Sequence, residues 1–137
     1  MLGPGGRVVF TAWVPSGAIG RQAVLRRDAV AAAAGAPAGP PPFAWHDTEV
    51  VYALLAPFGF SIEVEERSLP FTAASALAFV DSELEHHPAW VEARAVLEPR
   101  GTWPVVRDEV IALFADANED PEAFCVSSRY VVTMATR

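Results

Sequence analysis

Lysine is missing from this 137-residue chain: all ten of its cations are arginine, set against seventeen Asp and Glu. The formal charge of -7 leaves no basic face of the kind that phosphate neutralisation needs, so nucleic acid is not an expected partner. A P-loop is excluded as well, because its Gly-Lys-Ser/Thr step has no lysine to use. Cysteine is nearly absent. Cys125 alone cannot close an intramolecular disulfide, which fits a reducing compartment, and a cytoplasmic protein is expected. No apolar run approaches the roughly 20 residues that cross a bilayer, so no membrane partner is expected. There is no G-x-S-x-G elbow, and Ser127-Ser128 falls inside a β-rich segment.

What is present is enough apolar material for a packed core. Hydrophobic residues make up 52% of the chain and charged residues 20%, which predicts one domain spanning residues 1–137. Arg7 to Trp13 (RVVFTAW) reads as a strand with two apolar faces, covered on both sides. Ala18 to Ala34 reads as a helix with Ile19, Ala23 and Val30 inward and Arg21, Arg26 and Arg27 as its polar side. The prolines of Gly35 to Phe43 make that stretch a surface loop.

Asp47 is placed to cap a helix running to about Ala56, with Val50, Val51, Leu54, Leu55 and Phe58 on one face and Gly59 at the left-handed C′ position. Ser61 to Arg67 alternates strictly, with Ile62 and Val64 inward against Glu63, Glu65 and Arg67. One charged face places this strand at a sheet edge. Thr72 is the expected cap of the next helix, which carries Ala73, Ala76, Leu77, Val80 and Leu84 at helical spacing. His86-His87-Pro88 interrupts the pattern. Short helices follow over Trp90 to Leu97 and Val105 to Ala115, the latter with Val106, Val110, Leu113 and Phe114 inward. Phe124 to Thr136 is the last strand. Its apolar groups on both faces place it centrally in the sheet.

Most candidate chemistry reads as ordinary structure. Gly3, Gly5 and Gly6 precede a strand, whereas a dinucleotide fingerprint follows a strand and opens a helix. Gly17-Ala18-Ile19-Gly20 stands between strand and helix but is too short a signal for an anion site. Adjacent His86 and His87 point to different sides of a helix, and Glu83 with His87 supplies only two ligands, so no metal site is assigned. Cys125 reads as a buried strand thiol, and Glu65-Glu66 and Glu119-Asp120 as solvated surface. The aromatics are more informative. Trp13 ends a strand, at the edge where α/β ligand crevices open, while Phe43 and Trp45 flank the proline loop.

With these residues in view, the chain resembles the C-terminal half of class I S-adenosylmethionine-dependent methyltransferases. LGPGGRVVF is similar to the L-x-P-G-G-R/K-hydrophobic segment before the family's fifth strand. Trp45-His46-Asp47, Leu54-Leu55 and Gly59-Phe60 resemble the helix that leads to its sixth strand. Tyr130-Val131-Val132 resembles its seventh. The resemblance implies an α/β, α+β-like arrangement: a three-stranded mixed sheet of order five-seven-six, its last strand antiparallel, flanked by four to five helices. It also implies S-adenosylmethionine as the cofactor of the full family fold. The glycine loop after strand one and the acidic ribose-binding residue match nothing here, so no catalytic or cofactor-binding residue carries over. The reading is a substrate-side portion acting on a small-molecule acceptor and inactive alone, with pocket candidates Trp13, Arg21, Phe43, Trp45 and His46. A non-catalytic homodimeric ligand-binding module is the alternative. Strand Arg7–Trp13 would leave one edge bare, which predicts a homodimer or a partner chain across it.

Overall fold

The computed structural model describes residues 3, 5–37 and 39–137. The chain is α/β, and among the described residues it has a three-stranded antiparallel sheet and five α-helices. In chain order these are β1 (Arg7–Trp13), α1 (Gly17–Ala34), α2 (Thr48–Leu55), β2 (Ser61–Ala73), α3 (Ala76–His86), α4 (Pro88–Leu97), α5 (Trp103–Asp116) and β3 (Phe124–Thr136). The sheet order is β1-β3-β2, which places the last strand centrally, as its two-faced apolar pattern predicts. The sheet is antiparallel throughout rather than mixed, because β3 lies between the other two strands and runs opposite to both. Two compact units emerge: Met1–Val14, Pro41–Leu69 and Ser128–Arg137 form the first, and Pro15–Pro40 and Pro70–Ser127 the second.

In the first unit, β1 pairs with β3 from Arg7↔Thr136 to Trp13↔Tyr130. A glycine turn leads into it. Gly5 has φ +78°, the Gly6 N–H donates to the Gly3 C=O at 3.0 Å, and Leu2 and Pro4 of this motif lie outside the described residues. Asp47 caps α2 as expected, its Oδ1 accepting from the N–H groups of Glu49 (2.9 Å) and Val50 (3.2 Å). A 3₁₀ turn over Ala56–Phe58 follows, closed by Gly59 at φ +78°.

Two expectations fail in this unit. β1 is not covered on both sides: Val8, Val9 and Trp13 are exposed, Val9 at 61%, because β1 is an edge strand among the described strands. Nor does α2 bury a whole apolar face. Val51 is buried, while Val50, Leu54 and Phe58 stay exposed, since an eight-residue helix on a three-stranded sheet has little area to cover.

The second unit holds the continuous core. Thirteen buried apolar residues from α1, α3, α4, α5 and the start of β3 form one cluster. Phe79 stacks on Phe124 (centroids 4.9 Å, 26°) and meets Phe114 edge-on at 5.0 Å, while Trp90 and Trp103 meet edge-on at 6.3 Å. Trp90 and Trp103 are thus core residues. Buried Ala18 and Gln22, with half-buried Leu25, Ala29 and Ala33, form the inward stripe of α1. Ala23, expected inward, is exposed one residue off that stripe.

The chain's single glutamine and single asparagine both do structural work. Buried Gln22 accepts from the Trp90 indole N–H at 3.1 Å. Asn118 Nδ2 donates to the carbonyls of Asp120 and Ala123, and its Oδ1 accepts from the N–H groups of Asp120 and Cys125, which locks the turn into β3. Thr72 does not cap α3. β2 continues through Ala73, with Phe71 and Ala73 packed on the core, and Ser75 is the cap, its Oγ accepting from the Ala78 N–H at 3.1 Å. His87 both ends α3 and caps α4, its Nδ1 accepting from the Ala89 N–H, while His86 Nδ1 lies 3.0 Å from the Ser82 carbonyl.

Candidate functional site

Alternation along β1 places Val9, Thr11 and Trp13 on one sheet face, and the register puts Met134, Val132 and Tyr130 of β3 beside them. Two hollows lie along this face, both within the first unit. The first, at the C-terminal end of β1, is lined by Thr11, Ala12, Trp13, Leu69 and Tyr130 and encloses about 250 Å³. The second, of about 360 Å³, is lined by Val9, Glu63, Val64, Glu65, Val132 and Met134.

The first hollow has two aromatic walls. Trp13 and Tyr130 are directly opposite in register and meet edge-to-face at 5.6 Å and 68°. Charge stands close by on β2. Arg67 donates to Glu65 at 2.8 Å, and this bond, with the charge of the carboxylate, holds the guanidinium above its ordinary pKa. The same bond holds the Glu65 carboxyl below the usual carboxylate range. The hollow therefore offers aromatic and aliphatic walls with the Thr11 hydroxyl as a polar handle. That chemistry suits a small planar or apolar molecule.

The four pocket candidates of the first unit do not converge. Trp13 lines the first hollow. Phe43 and Trp45 do meet (4.7 Å), but with Phe10 (5.3 Å from Trp45), whose parity on β1 sets it on the opposite sheet face. Half-buried His46 follows Trp45 in the same turn, and Arg21 is exposed on α1 in the second unit. Sequence reasoning missed Tyr130 and Leu69. Tyr130 is found only through the register that sets it against Trp13. Leu69 is lost if β2 is ended at Arg67, where the alternation of charge stops.

The remaining candidates resolve as structure. A Cβ on Gly20 would sit 2.5 Å from the Pro15 backbone carbon, so this glycine serves a close chain approach and not an anion. Glu119 accepts from the Ser127 N–H (2.7 Å) and hydroxyl (2.8 Å), and Cys125 is a free, half-buried thiol. Among the described residues no group of three or more His, Cys, Asp or Glu is placed to hold a metal ion, and no helix is long and apolar enough to cross a membrane. No protein-family model matches the chain, and no curated protein matches it.

Proposed function

We propose that this chain is the acceptor-side portion of a class I S-adenosylmethionine-dependent methyltransferase fold, with β1, β2 and β3 in the places of that family's strands five, six and seven. The supporting observation is the order β1-β3-β2 with the last strand central and antiparallel, reached through a helix-bearing crossover and then three inserted helices. The glycine turn into β1 and the Leu54-Leu55 helix ending at Gly59 support the same alignment. The acceptor is a small molecule held in the hollow of Thr11, Trp13, Leu69 and Tyr130, at the carboxyl end of β1 where ligand crevices of open α/β sheets lie.

The residues present do not fit the cofactor. The glycines ahead of β1 form a turn, and Gly20 is filled by Pro15, so neither glycine segment, as far as its residues are described, cradles S-adenosylmethionine. The chain alone therefore binds no cofactor and transfers no methyl group. Isothermal titration tests both halves of the reading. S-adenosylmethionine should give no heat of binding, whereas 2-naphthol, a planar probe, should bind saturably and lose that binding in Trp13→Ala. Tight S-adenosylmethionine binding by this chain alone would overturn the proposal.

The open edge of β1 favours a second reading, a non-catalytic homodimeric ligand-binding module on the same scaffold. Intact-mass analysis of the protein from its source separates the two. A 14.7 kDa species acting without any cofactor-binding polypeptide supports the second reading.

A further inference from the structure

The two edges of the sheet are built differently. The β2 edge carries Glu63, Glu65, Glu66, Arg67 and Pro70, the charges and proline that discourage another strand from pairing. The β1 edge carries no proline and one charge, Arg7, at its end. Its backbone is oriented for pairing. The Val14 N–H donates to the Arg129 C=O, and the Arg137 N–H to the Gly6 C=O, so the even-numbered residues of β1 bond to β3. The peptide groups of Val9 and Thr11 consequently face the open edge, where Val9 is 61% exposed and no described strand pairs with them.

We infer that this edge pairs with β1 of a second copy of the chain, antiparallel, with Phe10 opposite Phe10, so that two sheets join into one of six strands. Only this register uses all seven residues. It sets Val9 opposite Thr11 of the second copy, a pair of β-branched side chains, and Arg7 opposite Trp13 of the second copy, a cation over an aromatic face. Centring on Arg7 would set two guanidinium groups together. Centring on Thr11 would bring Pro15, which has no N–H, opposite Arg7 of the second copy. The two-fold is isologous and closes at two copies, because each β1 edge is consumed. The inference is drawn from the strand edge of this chain by itself and does not rest on the methyltransferase reading.

The test is light scattering coupled to gel filtration, from about 10 μM to about 1 mM, a span that reaches the millimolar limit of weak association. The mass should rise toward twice 14.7 kDa, and Val9→Lys should move the midpoint at least about tenfold upward, with its far-ultraviolet circular dichroism unchanged. The register is read independently in a Cys125→Ser background. Val9→Cys mixed with Thr11→Cys should form a disulfide dimer on oxidation while neither forms one alone, since directly opposed residues lie about 5.5 Å apart, within disulfide range. A monomer throughout the range, or equally fast crosslinking of Val9→Cys with itself, overturns the inference. If Val9→Lys does not fold, the crosslinking result decides.

Discussion

The two units treat apolar residues in opposite ways. Among the described residues, thirteen of the sixteen buried apolar ones lie in the second unit, whereas ten of the fourteen exposed large apolar ones lie in the first. In the second unit four helices close around Trp90, Phe114, Val110 and Phe124, each with almost no exposure. In the first, three strands and one short helix leave Val9, Trp13, Leu54, Phe58 and Leu69 in contact with solvent. The difference teaches where each property of the molecule resides. Packing stability is concentrated in the helical unit, and the apolar surface available for ligands or a second copy is concentrated in the sheet unit.

The comparison can be broken at its strongest point by Trp90→Ala, which empties the helical core and should cost about 3–5 kcal/mol in urea denaturation followed by circular dichroism. A loss below about 1 kcal/mol would show that this cluster does not carry the fold. Gln22→Leu should be next, at about 1–3 kcal/mol, because it leaves the buried Trp90 indole N–H without an acceptor. In the sheet unit, Asp47→Ala removes the cap of α2 and should lower stability by about 1 kcal/mol by the same assay.

Glu98→Gln sharpens the contrast further down the scale. The hydrogen bond from Arg94, and then its charge, holds the Glu98 carboxyl below the usual carboxylate range. A depressed folded pKa contributes stability above the unfolded value and loses it as pH falls through the folded one. Glu98→Gln should therefore lower the melting temperature slightly at pH 7 and not at all in strong acid. Both partners are exposed, so the effect is small. Phe58→Ser should change stability least, within about 0.5 kcal/mol, because its side chain is 62% exposed. A larger loss would mean that the sheet unit draws real stability from its surface.

Much of the fold was legible because local chemistry and final structure agree. The alternation of β2, the Asp47 cap, the Gly59 stop, the break at His87-Pro88 and the central position of β3 are all readable in short windows. The errors arose where the deciding contact is distant. Ala23 against Gln22 is a one-residue rotation of α1, settled by the position of Trp90, sixty-eight residues away. Thr72 looks like a cap as good as Ser75, yet Phe71 and Ala73 have a core to pack on, and that keeps the strand going. The candidate site was less legible still. Only Trp13 of the five candidates lines the aromatic hollow, and its partner across the sheet, Tyr130, lies 117 positions along the chain.

By itself, the order of residues determined which segments become strand or helix, where they stop, and that the last strand is apolar on both faces. Those properties depend on backbone propensity, capping and periodicity, which act over a few residues. Tertiary structure decided which apolar faces are covered, which side chains meet at the end of β1, and that β1 lies at an edge among the described strands. Each of these is set by register and by the area available to cover a face, and neither quantity exists until distant segments pair.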